Sequence, residues 1–317
     1  MKNICIITGE PKSINLEIIA KSWFSLNNKI RKKIILIGDY NLIKFELKKI
    51  NIKLPLNQIK SINEKDKINF LKIIHIPLKT NNYNNLSKKN ITKYIASCLN
   101  RAHEMATNKL IKGFINCPVD KQNLNYKKLG VTEYLSNKSK NNKIKNMMIF
   151  NEKLSVVPIT THIKLSKVAK SLNKKLLKTK LIQLNKSYIS LFKKKPKIAV
   201  LGLNPHNDEN RSSSEESKII IPVIQNLKNK INIEGPYPAD TVFLKNIRIR
   251  FDIIVGMYHD QVLAPFKSIY NFDAINITLG LDYLRVSPDH GTGKNIVGKN
   301  RANHQSLLKA INFLSNY

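Results

Sequence analysis

Short apolar segments alternate with longer segments of helical periodicity along most of this chain. Several apolar runs of strand length are rich in Ile, Val, Leu and Phe, and stretches with apolar residues at every third or fourth position lie between them. The runs are ICIIT, KIILIG, LKIIHIP, KGFINCP, MMIFN, LSVVPIT, KIAVLGL, FDIIVGMY and AINITLG. Because strands that alternate with helices are typical of α/β proteins, the pattern predicts an α/β fold with a largely parallel sheet.

The segments of helical periodicity predict surface helices. They include NLEIIAKSWFSL, NITKYIASCLNRAHEMA and SEESKIIIPVIQNLK. The lysine-rich segment SLNKKLLKTKLIQLNKSYISLFKKK also has apolar residues at helical spacing. This pattern favours an amphipathic surface helix that packs on the core, and not a helix that reads DNA. The chain has 317 residues, enough for a large core and two lobes of one enzyme-sized unit.

Polar residues follow directly where predicted strands end, and three of them are histidines. His162 follows LSVVPIT, His206 follows KIAVLGL and His259 follows FDIIVGMY. Open α/β sheets bind ligands at the carboxyl edge of the sheet. Three neutral imidazoles from separate strands are a common way to hold Zn²⁺ or a similar ion with one position open. A three-histidine metal site and simple helix capping are both compatible with this pattern.

A second polar segment, DHGTGKNIVGK, combines glycines with hydrogen-bonding side chains. His290, Gly291 and Thr292 form a predicted turn, and Gly298 follows shortly after it. Glycines allow a backbone to approach a nucleotide or phosphate closely, although a tight connection has the same composition. The chain has neither G-x-G-x-x-G after its first strand nor G-x-x-x-x-G-K-[ST], which excludes an ordinary Rossmann fingerprint and a P-loop.

The charge of the chain is strongly positive. The formal net charge is +34, from 55 Lys and Arg against 21 Asp and Glu. A charge of this size raises nucleic acid and anionic lipid as partners. Only 7 of the basic residues are arginine, however, and the lysines are spread along the chain, whereas groove recognition relies heavily on arginine. Diffuse surface charge is therefore favoured, and a non-catalytic, basic nucleic-acid-binding protein is the alternative from another class.

The cysteines and the apolar segments indicate the cellular compartment of the protein. Cys5, Cys98 and Cys117 have no paired spacing, which fits a reducing cytosol better than a disulfide framework or a zinc knuckle. The first apolar run is too short for a signal peptide, and no stretch reaches the length of a membrane span. These features predict a cytoplasmic protein without a membrane partner.

Several short motifs occur along the chain in a recognisable order and spacing. They are GLNPH, GPYPADT, MYHDQ, NITLGLDYLRVSPDHGT and IVGK, with GVTEYL, TTHIKLSKV and NCPVDK as weaker matches. In these motifs the chain resembles the 4-hydroxythreonine-4-phosphate dehydrogenase family of vitamin B6 synthesis. The resemblance runs from the first strand to the last helix and is dense after about Val156. The His-Gly-Thr and Gly-Lys turn is also similar to the nucleotide-binding turn of isocitrate and isopropylmalate dehydrogenases.

The resemblance implies a fold, a reaction and an assembly. The fold would be the two-lobed isocitrate/isopropylmalate dehydrogenase-like α/β fold, with discontinuous lobes, an active-site cleft between them, and residues 1–317 as one catalytic unit. The reaction would be oxidation of the C3 hydroxyl of 4-phosphooxy-L-threonine by NAD or NADP. The product, 2-amino-3-oxo-4-phosphooxybutanoate, would lose CO₂ to give 3-amino-2-oxopropyl phosphate, a precursor of pyridoxine 5′-phosphate. The assembly would be a homodimer with a shared active site.

The resemblance also implies roles for particular residues of this chain. The metal ligands, for a divalent ion such as Zn, Mg, Co or Mn, are His162, His206 and His259. The substrate-binding residues are Thr132, Lys267, Asn276 and Arg285. The candidate catalytic residues are Asp240, Asp260 and Lys267. The cofactor-binding residues are His290, Gly291, Thr292, Asn295 and Gly298.

The chain departs from the family pattern outside the metal set. The Gly9–Glu17 segment reads GEPKSINLE without the family's Gly-Ile-Gly, Val131 stands where the family has histidine, and Asn295 replaces a usual aspartate. The segment NDENRSSSEE replaces the glycines usual after NPH. Two alternatives follow: a dehydrogenase of another phosphorylated four-carbon hydroxy acid, such as threonate or erythronate 4-phosphate, and a weakly active copy.

Overall fold

The chain forms two compact units in a computed structural model, which describes residues 3–62, 64, 69–80, 82–124, 130–139 and 144–317. The first unit combines Met1–Lys140 with Asp282–Tyr317, and the second is Asn141–Leu281. The chain therefore leaves the first unit once and returns to it for its last two elements.

The elements of the described residues run in chain order as follows. The strands are β1 (Asn3–Ile7), β2 (Ile34–Gly38), β3 (Leu56–Ile59), β4 (Leu71–His75), β5 (Ile111–Asn116), β6 (Asn146–Asn151), β7 (Leu154–Pro158), β8 (Ile198–Leu201), β9 (Ile233–Tyr237), β10 (Ile253–Gly256), β11 (Ile275–Leu279) and β12 (Leu284–Pro288). The α-helices are α1 (Asn15–Ser25), α2 (Asn28–Arg31), α3 (Tyr40–Lys49), α4 (Lys88–Thr107), α5 (Val131–Lys138), α6 (Val168–Ser171), α7 (Lys174–Phe192), α8 (Ile221–Leu227), α9 (Lys245–Arg248), α10 (His259–Tyr270) and α11 (Gln305–Asn316).

The strands of the first unit form a parallel sheet in the order β3-β4-β2-β1-β5-β12. Its central strands, β1 and β2, are Ile-rich and buried on both faces, as expected of parallel strands covered by helices. The helices begin at capping side chains: Asp39 accepts from the N–H of Leu42 at the start of α3, and Ser87 caps α4. The loops after β1, β5 and β12 meet at the carboxyl edge of this sheet.

The strands of the second unit lie in the order β11-β6-β7-β10-β8-β9. The four strands β7, β10, β8 and β9 are parallel, and β6 pairs antiparallel with both β7 and β11. Fully buried side chains such as Val156, Ala199 and Ile254 form the apolar core of this unit. Because β7, β10 and β8 are parallel neighbours, their carboxyl ends lie side by side.

The apolar pattern predicts most of these elements correctly. Each of the nine predicted strand segments contains a strand, and the sheet is largely parallel. The helices α1 and α7 lie within predicted helical segments, and α4 extends slightly beyond both ends of its segment. The strands β3, β9 and β12 were not predicted, because LNQI, IEGPY and LRVSP mix polar residues or proline with few apolar ones. The predicted segment SEESKIIIPVIQNLK forms a π-helical turn, Glu216–Ile220, before α8. Pro222 lacks an N–H donor and therefore lies in the first turn of α8.

No helix among the described residues is both long enough and apolar enough to cross a bilayer.

Candidate active site

The three histidines predicted as metal ligands all lie in the second unit, beyond the carboxyl ends of adjacent parallel strands. His162 follows β7, His259 follows β10 and His206 follows β8. The structure brings two of them together, since the ring centroids of His162 and His259 are 5.8 Å apart. The carboxyl edge of this sheet therefore presents a pair of imidazoles, whereas the strand-end pattern predicted three.

A carboxylate holds the ring of His259 at the start of α10. Its Nδ1 lies 2.6 Å from Oδ1 of Asp260, and the Asp260 side chain is 83 % exposed. A carboxylate at one ring nitrogen fixes the tautomer and leaves the other nitrogen, Nε2, as the donor toward a metal ion. In this structure, Asp260 therefore orients the imidazole of His259.

The ends of β7 and β10 are joined by hydrogen bonds just before the two imidazoles. The Oγ1 of Thr160 donates to the carbonyl of Met257 at 2.7 Å, and the N–H of Ile159 donates to the carbonyl of Gly256 at 2.8 Å. These bonds fix the backbone from which the loops of His162 and His259 depart. The sheet thus fixes the backbone segments that carry the two imidazole rings.

Gln261 links the ends of β10 and β8. Its Oε1 accepts from the N–H of Met257 and its Nε2 donates to the carbonyl of Gly202, each at 2.7 Å. A Cβ at Gly256 would lie 2.5 Å from Cγ1 of Val262 and 2.8 Å from Oε1 of Gln261, so a larger residue there would displace these side chains. Gln261 was not among the predicted site residues. The sequence feature that could have indicated this role is its place in the motif MYHDQ, two residues after His259.

His206 is not gathered with the other two histidines. Among the described residues, no three His, Cys, Asp or Glu side chains lie close enough to hold a metal ion. The backbone from His206 to Glu209 is left-handed, with φ angles of 51°, 59°, 48° and 48°. Non-glycine residues adopt this conformation at a cost of about 1–2 kcal/mol each. The imidazoles of His162 and His259 therefore suit two positions of a divalent ion. A third position, filled by His206, depends on the conformation of the His206–Glu209 turn.

The start of the turn is held by a buried carboxylate that the sequence analysis missed. The Oε1 of Glu216 accepts from the N–H groups of Leu203 and Asn204 at 2.7 and 2.8 Å, and its Oε2 accepts from Nδ2 of Asn204 at 3.0 Å. Burial acts to raise the pKa of Glu216, but the hydrogen bonds from Asn204 and Leu203 outweigh it and hold the pKa below its usual value. A charged Glu216 therefore anchors the segment that leads into His206.

The other predicted residues of the second unit differ in their surroundings. Asp240 is exposed in the turn after β9, and Lys267 is exposed in the last turn of α10. Asn276 lies on β11, and its buried Oδ1 has no hydrogen-bond partner within the described part of the chain. A buried carbonyl oxygen left unpaired costs about 1–3 kcal/mol. Among these three, Asn276 is therefore the residue with a buried, unpaired acceptor for a ligand.

In the first unit, the structure brings Arg285 and Thr132 together. Arg285 lies on β12 and is 3 % exposed. Its Nε donates to Oδ1 of Asn116 at 2.6 Å, and one terminal nitrogen donates to Oγ1 of Thr132 at 3.3 Å. Burial lowers the pKa of Arg285 to about 10, so the guanidinium stays charged near neutral pH. Asn116, at the end of β5, was not predicted as a site residue. Its place before CPVDK was the available signal.

The predicted cofactor-binding residues lie in one segment of the first unit, after β12. The segment contains a short 3₁₀ turn, Lys294–Ile296, flanked by Gly293 and Gly298 with left-handed φ angles of 58° and 76°. Gly298 has open space where a Cβ would be, as has Gly291. Asn295 is exposed. The backbone of this turn is therefore accessible to a ligand.

The altered loop after β1 contacts this turn. The N–H of Ile14 donates to the carbonyl of Thr292 at 3.1 Å. The ammonium of Lys294 forms an ion pair with Asp120, whose own N–H donates to Oε2 of Glu10 at 3.1 Å. Three loops at the carboxyl edge of the first sheet are thus connected, although the Gly-Ile-Gly of related sequences is absent.

Comparison with known proteins identifies the family. The family model described as pyridoxal phosphate biosynthetic protein PdxA matches residues 30–314. A 4-hydroxythreonine-4-phosphate dehydrogenase from Sulfurihydrogenibium sp. (strain YO3AOP1) is 35 % identical over 322 residues, covering 98 % of this chain and 97 % of the relative. The enzyme of the same name from Aquifex aeolicus (strain VF5) is 33 % identical over 322 residues, covering 99 % and 97 %.

A solved structure agrees with this result. The crystal structure of 4-hydroxythreonine-4-phosphate dehydrogenase from Klebsiella pneumoniae is 27 % identical, with a TM-score of 0.85, and the match covers 100 % of this chain and 99 % of that chain. This likeness confirms the predicted α/β fold class, and the relatives over the full length favour a dehydrogenase over a nucleic-acid-binding protein. The chain belongs to the pyridoxal phosphate biosynthetic protein PdxA family and is an oxidoreductase of that family.

Proposed function

We propose that this chain oxidises the C3 hydroxyl of 4-phosphooxy-L-threonine with NAD⁺ or NADP⁺. The 3-oxo acid would then decarboxylate to 3-amino-2-oxopropyl phosphate in the synthesis of pyridoxine 5′-phosphate. The observation that carries the proposal is the imidazole pair of His162 and His259, 5.8 Å apart at the carboxyl edge of a parallel sheet. The full-length similarity to relatives named for this reaction supports it.

The charged and polar side chains that the family resemblance assigns to the substrate would bind it. The Arg285 guanidinium suits a phosphate or carboxylate, because it is charged and held in one orientation by Asn116 and Thr132. Lys267 would add a second positive charge, and Asn276 would accept from a substrate N–H or O–H through its unpaired Oδ1. Residues 1–317 would then act as one catalytic unit.

His162, His206 and His259 would hold a divalent ion such as Zn²⁺, Co²⁺, Mn²⁺ or Mg²⁺. When bound, such an ion supplies Lewis-acid stabilisation of negative charge on a substrate oxygen. Asp260 would keep the Nδ1 of His259 engaged, so that Nε2 faces the ion. Asp240 and Asp260 would handle protons in the reaction, as candidate catalytic carboxylates.

The turn formed by His290, Gly291, Thr292, Asn295 and Gly298 would bind the dinucleotide. The nicotinamide supplies the hydride acceptor when bound. The accessible backbone at Gly291 and Gly298 supports a close approach of phosphate groups to this turn. Cofactor binding there would leave the second unit free to hold the ion.

We also propose a homodimer with a shared active site, and a cytoplasmic location. The location is supported by the cysteines, since Cys5, Cys98 and Cys117 are all buried and unpaired, as is usual in a reducing compartment. Light scattering of the purified protein tests the dimer directly, because a mass near that of one 36.3 kDa chain would contradict it.

The testing experiment is NAD⁺ and NADP⁺ reduction by the purified protein with 4-phosphooxy-L-threonine, before and after chelation. We expect activity that is lost with the chelator and restored by one divalent ion. His259→Ala should lose both the bound ion and turnover, whereas the control His304→Ala, at the start of α11, should keep them. Full ion content and full rate in His259→Ala would overturn the site.

The same assay separates the substrate alternatives. Val131 packs against the apolar core of the first unit and offers no hydrogen bond where related sequences have histidine. Assays with D-threonate 4-phosphate and D-erythronate 4-phosphate test whether this change has redirected the enzyme. Oxidation of one of these compounds without oxidation of 4-phosphooxy-L-threonine would replace the proposed substrate. Inactivity on all of them with an ion bound would identify a copy that has lost the reaction.

A further inference from the structure

A cavity of about 610 Å³ lies in the first unit, away from the residues considered so far. Ile4 at the start of β1 and Ile111 at the start of β5 line it, together with Lys33 immediately before β2. These positions are the amino ends of parallel strands, whereas the cofactor turn follows the carboxyl end of β12. At about 3.3 Å per residue, strands of this length separate the two edges by roughly 15 Å.

Three lysines and one aspartate are among the residues that line the cavity. The lysines are Lys33, Lys109 and Lys112, and the carboxylate is Asp282. None of the three lysines forms an ion pair within the part of the chain that the structure describes. With three lysines against Asp282 alone, positive charge exceeds negative charge in the lining of the cavity. By contrast, the ammonium groups of Lys21, Lys194 and Lys294 each form an ion pair with a carboxylate.

Two of the ammonium groups converge on one residue. The Nζ of Lys33 lies 3.4 Å from Oγ of Ser315, and the Nζ of Lys112 lies 3.4 Å from the carbonyl oxygen of Ser315. Both distances are at the long limit of a hydrogen bond, so each ammonium keeps donors for another acceptor. Burial and the charge of Lys33 lower the pKa of Lys112, as expected when two like charges share a site without an anion between them.

The remaining walls suit the organic part of a ligand. Tyr283 and Tyr317 line the cavity beside Ile4 and Ile111. The volume lies in the range of small-molecule sites, about 300–1,000 Å³. Several ammonium groups match the oxygens of a phosphate dianion, for which lysine is a common point-charge ligand. We propose that this cavity is a second anion site of the protein, which binds a small organic phosphate between Lys33, Lys109 and Lys112 with its organic part against the two tyrosines.

The test is calorimetric titration of the full chain with phenyl phosphate at moderate salt. The cavity variant is Lys33→Gln/Lys112→Gln. The control variant is Lys170→Gln/Lys186→Gln, which removes the same charge from two exposed positions of the second unit. The control is needed because a chain of net charge +34 attracts anions without a specific site. Far-UV circular dichroism confirms that each variant is folded.

We expect phenyl phosphate to bind wild type and control at one saturable site that is weakened at least tenfold in the cavity variant, in addition to the proposed substrate site, which all three proteins retain. Lys112→Arg, which keeps the charge, should retain most of the affinity. Equal binding by the cavity and control variants, or no saturable binding by wild type, would overturn the proposal. The measurement needs no turnover, so its result is independent of the proposed dehydrogenase reaction.

Discussion

Gln261 donates from Nε2 to the carbonyl of Gly202 at 2.7 Å, while its Oε1 accepts from the N–H of Met257. One buried amide thereby connects the strand end before His259 with the strand end before His206. The His162–His259 pair is built by neighbouring strands, whereas the position of His206 depends on this bridge and on the Glu216 carboxylate.

Gln261→Ala should weaken divalent-ion binding and lower kcat/KM by about 10- to 100-fold, the usual cost of losing a group that orients metal ligands. The reason is that alanine removes the two hydrogen bonds of the Gln261 amide, one to Met257 after β10 and one to Gly202 after β8, and thereby the link between these strand ends. Ion affinity is measured by titration of the metal-free protein. Gln183→Ala, which alters an amide on α7 that bonds Ser187, serves as the control and should change neither quantity. Equal ion affinity in both variants would contradict the bridging role.

Asn116→Ala should raise KM for the phosphorylated substrate more than it lowers kcat. Asn116 accepts from Nε of Arg285 at 2.6 Å, and its loss leaves a buried guanidinium donor unpaired and free to change orientation. A lost hydrogen bond to a charged group is worth about 1.5–3 kcal/mol, which corresponds to roughly a tenfold or larger rise in KM. Steady-state kinetics beside the exposed control Asn232→Ala provide the measurement. An unchanged KM would show that Asn116 does not position Arg285.

Glu46 should make stability fall as the pH rises. Burial raises the pKa of Glu46 from 4.5 to about 7, although its Oε1 accepts from the N–H of Lys12 at 2.7 Å. The folded state then binds a proton more tightly than the unfolded state, so the contribution of this group is complete below about pH 4.5 and is lost as the pH rises through about 7. Urea unfolding of wild type and Glu46→Gln at pH 5 and pH 8 tests this. The variant should lose part of the pH dependence, and parallel curves would refute the assignment.

Glu209→Gly should stabilise the protein by up to about 1 kcal/mol. Glu209 has a φ of 48° in the His206–Glu209 turn, and glycine removes the left-handed penalty of about 1–2 kcal/mol while adding backbone entropy to the unfolded chain. Thermal unfolding measures the effect. The control Glu104→Gly, within helix α4, should instead destabilise by about 1 kcal/mol. A lower Tm for Glu209→Gly would mean that contacts of Glu209, such as that with Arg211, outweigh the strain.

The sequence by itself determined most of the elements and the family. Apolar runs and helical periodicity are local properties, so they were sufficient for nine strands and for α1, α4 and α7. The motifs around His162, His206 and His259 indicated the family and which side chains follow which strands. Strands with mixed composition, such as β9 and β12, have no strong local signal and form because neighbouring strands supply their hydrogen bonds.

Only the tertiary structure decided which polar groups meet. The strand order β7-β10-β8 puts His162 beside His259, and side chains distant in sequence, Glu216 and Asn116, hold the segments of His206 and Arg285. The cavity around Lys33 and Lys112 brings together residues from several elements. Such groupings depend on strand order and on hydrogen bonds across long stretches of chain, and neither is encoded in the local pattern of apolar and polar positions.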